Sequence, residues 1–116
     1  MKILGIDIGG SGIKGAIVDA EKGIMLTGRY RLDTPKPATP QAVADTFLRV
    51  VKHFNWQGKI GCGFPAALQQ GKVLTASNIH TDWIGTDANM LLSGISKLPV
   101  SVINDADAAG YAEISY

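Results

Sequence analysis

The chain has 116 residues, 46% hydrophobic and 18% charged, enough for one core-forming domain and too few for a second of ordinary size. Eleven Lys and Arg against ten Asp and Glu leave a formal charge of +1, so no broad field is available to hold a nucleic-acid backbone or an anionic membrane. Apolar runs are a few residues each, far short of the roughly 18 that span a bilayer, and Met1-Lys2 leads directly into Ile3-Leu4-Gly5-Ile6 without a signal-peptide pattern.

Ile3, Leu4, Ile6 and Ile8 predict a strand that stops at Gly9-Gly10, and Ile13 to Val18 a second strand. Asp19-Ala20-Glu21-Lys22-Gly23 supplies turn residues before a third strand over Ile24 to Leu32, with Met25, Thr27, Arg29 and Arg31 on one face. The expected opening is therefore three antiparallel strands in succession. Pro35, Pro37 and Pro40 make Asp33 to Pro40 an extended surface connection, because proline lacks a donor and restricts its predecessor. Thr39 can cap, and Pro40 can open, a helix whose stripe is Val43, Phe47, Val50, Val51 and Phe54.

Lys59 to Phe64 reads as a glycine-rich fourth strand ending at Pro65, with the sole cysteine, Cys62, in its core. Without a partner thiol Cys62 forms no internal disulfide, which points to a reducing, cytoplasmic compartment. Gln69-Gln70-Gly71-Lys72 predicts a turn into a brief strand at Val73-Leu74. Gly85-Thr86-Asp87 opens a second helix running to about Lys97, with Leu91, Ile95 and Leu98 on one side, and Pro99 stops it. Val100, Val102 and Ile103 form a last strand, and Asn104-Asp105-Ala106-Asp107 begins an Ala-rich helix still in progress at Tyr116. The order β-β-β-α-β-β-α-β-α predicts an α/β fold, a mixed five-stranded sheet flanked by helices.

Two segments carry candidate chemistry. Gly10-Ser11-Gly12-Ile13-Lys14-Gly15 satisfies the letters GxGxxG, but a dinucleotide loop needs a helix next, and here a strand follows. A Walker A loop fails too, since Gly15 stands where Ser or Thr would hold magnesium. What remains is a tight hairpin whose glycines expose backbone N–H groups, with Asp7 before it and Lys14 after it, a nest that can cradle phosphate. The plain alternative is a glycine-rich hairpin with Asp7 as a turn residue; against it stands the cost of burying Asp7 at a strand end without a charge partner.

Asn104-Asp105 sits at a strand's carboxyl end, where open α/β sheets collect ligands. An amide can bond a hydroxyl twice, and an adjacent carboxylate can accept that hydroxyl's proton as it attacks a phosphoryl group. Equally, Asn104 or Asp105 could simply cap the last helix while Asp107 complements its dipole. Ser77 to Trp83 is a polar and aromatic loop able to meet a polyhydroxylated ligand through Asn78 and Trp83, although Trp83 also suits a core anchor. His53 and His80 have no second ligand at metal spacing, so no zinc is assigned.

Together these pieces resemble the amino-terminal lobe of the ROK family of sugar kinases, within the actin and hexokinase superfamily of ribonuclease H-like folds, and above all its polyphosphate glucokinases. Ile6 to Ala16 resembles the first phosphate loop of that group, Gly61 to Ala66 its GxGxP segment, and Asn104 to Gly110 its catalytic motif. The resemblance implies that residues 1–116 are a single amino-terminal lobe. It implies Asp105 as the base toward the 6-hydroxyl of glucose, Asn104 and Asn78 as sugar ligands, and Gly9, Gly10, Ser11, Gly12 and Lys14 as the phosphate site. It further implies Asp7 as a ligand, through water, of Mg2+ accompanying ATP or polyphosphate, and a homo-oligomer, a dimer, in the complete protein. Ser77 precedes Asn78 where many relatives have proline. Members are about twice this length, with further sugar-binding residues in a second lobe, so the chain reads as cut at Tyr116. The competing expectations are a lobe that binds sugar or phosphate without catalysis, and a sugar-responsive regulator. Regulators carry a DNA-binding helix-turn-helix ahead of this lobe, whereas the first strand here starts at Lys2.

Overall fold

Strand β1 (Lys2–Ile8) buries Leu4, Ile6 and Ile8 and exposes Asp7, the period-two alternation of a strand packed on one face. In this computed structural model, which describes residues 1–75 and 79–104, β1 lies at the centre of the main sheet. Antiparallel β2 (Gly12–Asp19) flanks it on one side and parallel β5 (Ile60–Phe64) on the other, with parallel β8 (Val100–Asn104) beyond β5. The turn after β2 is closed by Asp19. Its carboxylate accepts the N–H groups of Lys22 and Glu21, and the Lys22 bond above all holds it below the usual carboxylate range.

The third strand expected over Ile24 to Leu32 is broken into β3 (Ile24–Met25) and β4 (Tyr30–Asp33), both antiparallel to β2. Met25 pairs with Val18 and Tyr30 with Gly15, so four residues on one side oppose two on the other, a double bulge. Thr27 is the cause. Its side-chain oxygen accepts the Ile17 N–H at 3.0 Å, taking the place of a ladder carbonyl, so Thr27 turns into the ladder and leaves the face foreseen for it. The sheet is thus five positions across, as the order of elements predicted, but has six strands, because β3 and β4 share the edge beside β2. Asp33 belongs to β4 and Pro40 to the helix, which confines the proline-rich connection to residues 34–39.

Helix α1 (Pro40–His53) begins as the sequence indicates. Thr39 Oγ1 accepts the Ala42 N–H and Pro40 fills the first turn, where its missing donor costs nothing. Val43, Phe47, Val50 and Val51 are buried against the sheet, each contributing roughly 1.5–3 kcal/mol of apolar burial. Phe54 is the C-cap and only half-buried. Gly15, opposite Ile6, gives the helix room: a Cβ built there would lie 2.6 Å from Val50 Cγ1. Gly15→Ala is expected to cost about 1–3 kcal/mol by overpacking, read as a lowered urea midpoint. Adding Val50→Ala should recover part of the loss, since the two side chains contest one space.

The turn at Gln70-Gly71 joins a small separate hairpin, β6 (Leu68–Gln69) with β7 (Lys72–Val73), where the sequence suggested one brief strand. Helix α2 (Ala88–Ser96) is capped by Asp87, whose Oδ1 accepts the Met90 N–H at 3.0 Å, and ends on left-handed Lys97. Its fully buried residues are Ala88 and Leu92; Leu91, Ile95 and Leu98, expected to form the packed side, are half-buried flanks. Cys62 is core, as expected. Trp83 is fully buried, with its ring edge against Phe64 and its Nε1 donating to the Ala38 carbonyl at 2.9 Å, which makes it a core anchor. No helix among the described residues is long and apolar enough to cross a membrane.

Candidate active site

Parallel strands β1, β5 and β8 end on the same edge of the sheet, and the candidate residues gather there. At the end of β1 the chain turns through Gly9-Gly10-Ser11 into β2, with the Gly9 N–H donating to the Gly12 carbonyl. Asp7 pairs in register with Lys14 on β2 and Gly63 on β5, and Lys14 in turn with Arg31 on β4. One level of the sheet therefore carries a carboxylate and two cations. Like charges directly opposite each other on paired strands are unfavourable. Arg31 is drawn away by Asp33, at 2.7 Å, and by the Ser11 carbonyl, at 2.9 Å. Lys14 makes no ion pair among the described residues, so an anion arriving at the loop meets an available cation.

Asp7 is exposed, which corrects the premise of a buried carboxylate. It alternates with the core residues Ile6 and Ile8, so it leaves the sheet on the face away from α1 and stays in water. The argument from the cost of burial lapses, and the case for a ligand rests on the loop itself.

The N–H groups of Gly10 and Ser11, in the turn itself, have no backbone hydrogen-bond partner among the described residues. The matching carbonyls are occupied: Gly9 O accepts from Thr34 Oγ1 at 2.6 Å, and Ser11 O from the Thr34 N–H at 3.2 Å and from Arg31. Thr34 is one of only two buried polar residues among those described. Sequence reasoning passed over Thr34 and Arg31, because they stand on β4 and the connection after it, some twenty residues from the loop they hold. The Thr-Pro step and a strand-borne arginine were the only signals.

Two strands across, at a spacing of roughly 5 Å each, Asn104 ends β8 level with Phe64. Its Nδ2 donates to the Ala66 carbonyl at 2.7 Å, tying the strand end to the segment Gly61 to Ala66. That bond fixes which way the amide points. Helix α2 holds the outer edge of β8: Asn89 Oδ1 accepts the Val102 N–H at 2.8 Å and Ser93 Oγ the Val100 N–H at 3.3 Å. A four-residue helical step of about 6 Å matches a two-residue strand step of about 6.6 Å, so α2 serves β8 as a surrogate strand. Between this edge and the β6–β7 hairpin is a hollow of about 370 Å³, lined among others by Gln70, Asn89 and Asn104, a size suited to a small molecule.

The structure thus gathers Asp7, Gly9 to Gly12 and Lys14 at one place, with Asn104 on the same edge. Asp105 and Asn78 lie outside the described residues, as does the Ala-rich helix expected after Asn104. His80 caps a single 3-10 turn at Thr81–Trp83, its Nδ1 accepting the Asp82 N–H, and His53 stacks on Tyr30. No cluster of three or more His, Cys, Asp or Glu able to hold a metal exists among the described residues.

The polyphosphate glucokinase of Mycobacterium tuberculosis (strain ATCC 25618 / H37Rv) is 48% identical over 113 residues, covering 97% of this chain and 43% of that protein. An inorganic polyphosphate/ATP-glucomannokinase from Arthrobacter sp. strain KM superposes with a TM-score of 0.93 at 45% identity, over 99% of this chain and 48% of that one. A ROK family glucokinase from Streptomyces griseus, solved with glucose and AMPPNP, gives 0.85 at 30% identity, over 99% and 36%. The chain spans less than half the length of each of these relatives. A model of the ROK family matches residues 3–116, and with the glycine hairpin, the parallel strand ends and these likenesses in agreement, the chain belongs to the ROK family.

Proposed function

We propose that residues 1–116 form the amino-terminal lobe of a glucokinase-type sugar kinase, transferring a phosphoryl group from polyphosphate or ATP to the 6-hydroxyl of glucose. The observation that carries this reading is the meeting, on one sheet edge, of a glycine hairpin whose Gly10 and Ser11 N–H groups have no backbone partner among the described residues and the strand end bearing Asn104. Similarity to proteins named polyphosphate glucokinase supplies the sugar and the donor. In this reading the N–H groups of Gly10, Ser11 and Gly12 and the Lys14 ammonium take the negative charge of the transferred phosphoryl group. Asn104, with Asn78, orients the sugar. Asp105 holds the 6-hydroxyl in line and takes its proton as the bond from phosphorus to O6 forms and the bond to the donor's bridging oxygen breaks. The work is positioning and electrostatics, the usual content of phosphoryl transfer. Its compartment is the cytoplasm, where a thiol such as that of Cys62 stays reduced, and its assembly a dimer of complete chains.

Mg2+ fits the residues present as a hydrated ion. The exposed carboxylate of Asp7 stands beside the phosphate loop, while that of Asp33, level with Gly12, is taken up by Arg31, which suits a cation that keeps several waters and takes one or two carboxylates plus phosphate oxygens. When bound it would neutralise donor charge. Asp7→Ala is expected to raise the Mg2+ concentration needed for half-maximal turnover several-fold while leaving the glucose KM unchanged. An identical Mg2+ titration would remove Asp7 from that role.

The deciding experiment is glucose 6-phosphate formation by the full-length protein, with ATP and polyphosphate supplied separately. Turnover with either supports the reading. Glucose binding without turnover on both donors would replace it with a non-catalytic sugar-binding lobe.

A further inference from the structure

We propose that Thr34 is a positioning residue for the phosphate loop, one that sets the direction of the loop's N–H groups by holding its carbonyls; this rests on reading the glycine hairpin as a phosphate cradle. The mechanism follows from the planarity of the peptide unit, in which C=O and the next N–H point in opposite directions. Thr34 Oγ1 draws the Gly9 carbonyl toward the connection after β4, so the Gly10 N–H of the same peptide points away from it. The Thr34 N–H and Arg31 Nη2 draw the Ser11 carbonyl the same way, and the Gly12 N–H of that peptide points away from them in turn. A phosphate needs this arrangement, because a glycine loop free to rotate its peptides would present carbonyl oxygens, which repel an anion, as readily as N–H groups.

Three features single out Thr34 over Arg31. It is a buried residue, at 5% exposure, and the bond from its hydroxyl to Gly9 is short, at 2.6 Å. It holds two carbonyls of one loop from a single residue. Arg31, by contrast, is half-exposed and shares its guanidinium with exposed Asp33, a pairing that water and salt weaken. Arg31 lies over Gly12, where a Cβ would meet its Nε at 2.5 Å, so its part is to cover that glycine.

The test is calorimetric binding of inorganic tripolyphosphate, and separately of glucose, to the full-length protein and to Thr34→Val and Thr34→Ser. Valine keeps the shape and loses the donor, whereas serine keeps the donor and loses a methyl group. Thr34→Val is expected to weaken tripolyphosphate binding on the order of ten- to a hundredfold, the usual consequence of losing one buried hydrogen bond. Glucose affinity should stay unchanged and Thr34→Ser should restore most of the loss. Equal weakening for both ligands would mean a general structural role, and an unaltered tripolyphosphate affinity in Thr34→Val would mean that the hydroxyl does not set the loop; either overturns the proposal. So would absence of tripolyphosphate binding by the unsubstituted protein. Should that protein bind tripolyphosphate but phosphorylate no glucose, the kinase reading falls while the comparison of valine with serine still decides the positioning role.

Discussion

Asp105→Asn in the full-length protein is expected to lower kcat for glucose phosphorylation by about 10²–10⁴-fold, with the glucose KM held within a few-fold. The substitution keeps the shape of the side chain and its ability to bond a sugar hydroxyl, and removes only the capacity to take a proton at neutral pH. It therefore separates the two roles open to a carboxylate after a strand end. Asn caps a helix as well as Asp does, so a residue acting solely as a cap would leave kcat unchanged. A ligand for the sugar alone would raise KM and spare kcat. Only a base, whose contribution is realised as the proton leaves, loses kcat with binding preserved. The reading gains from what is fixed immediately before this residue: Asn104 is held in register with Phe64 and anchored to the Ala66 carbonyl, while Asn89 and Ser93 clamp the outer edge of the same strand. A base is useful only if it is placed to within a fraction of an ångström, and two side chains of α2 together with the amide of Asn104 itself fix the strand end that precedes it.

What the sequence discloses and what it conceals divide along the reach of each interaction. The hairpin at Gly9 to Gly12, the capped start of α1 at Thr39-Pro40 and the cap of α2 at Asp87 are set by neighbours three or four residues away, and local rules suffice for them. The break between β3 and β4 depends on Thr27 reaching Ile17 across ten residues, which no periodicity encodes. The same holds for the grip of Thr34 on Gly9 across twenty-five residues and for Asn89 on Val102 across thirteen. The exposure of Asp7 is hidden for another reason: alternation along β1 shows which residues share a face, but only the packing of α1 against Gly15 and its neighbours shows which face is covered. The motifs of the candidate site are legible because they are local, and its supporting contacts are not because they are tertiary.

Trp83 is where the largest loss of stability is expected. Its ring is fully buried, in edge contact with Phe64 at a centroid distance of 4.7 Å, and its Nε1–H is the donor to the Ala38 carbonyl at 2.9 Å. Trp83→Ala should cost about 3–5 kcal/mol through lost burial and the cavity left behind, a large share of the roughly 5–15 kcal/mol that keeps a domain folded. Trp83→Phe retains most of the apolar volume but strands the Ala38 carbonyl, for about 1–3 kcal/mol. Urea unfolding of the full-length protein measures both. The ordering matters more than either value: a core anchor gives a large loss for alanine, a smaller one for phenylalanine, and nearly normal glucose binding in whatever fraction stays folded. A ring serving as a platform for sugar would give the reverse, with stability spared and glucose affinity lost in Trp83→Ala. The hydrogen bond to Ala38 favours the anchor, because it joins the turn at Thr81–Trp83 to the connection that carries Thr34 and leads into α1. Through that one indole, the turn at Thr81–Trp83 is tied to the segment whose Thr34 grips the glycine hairpin.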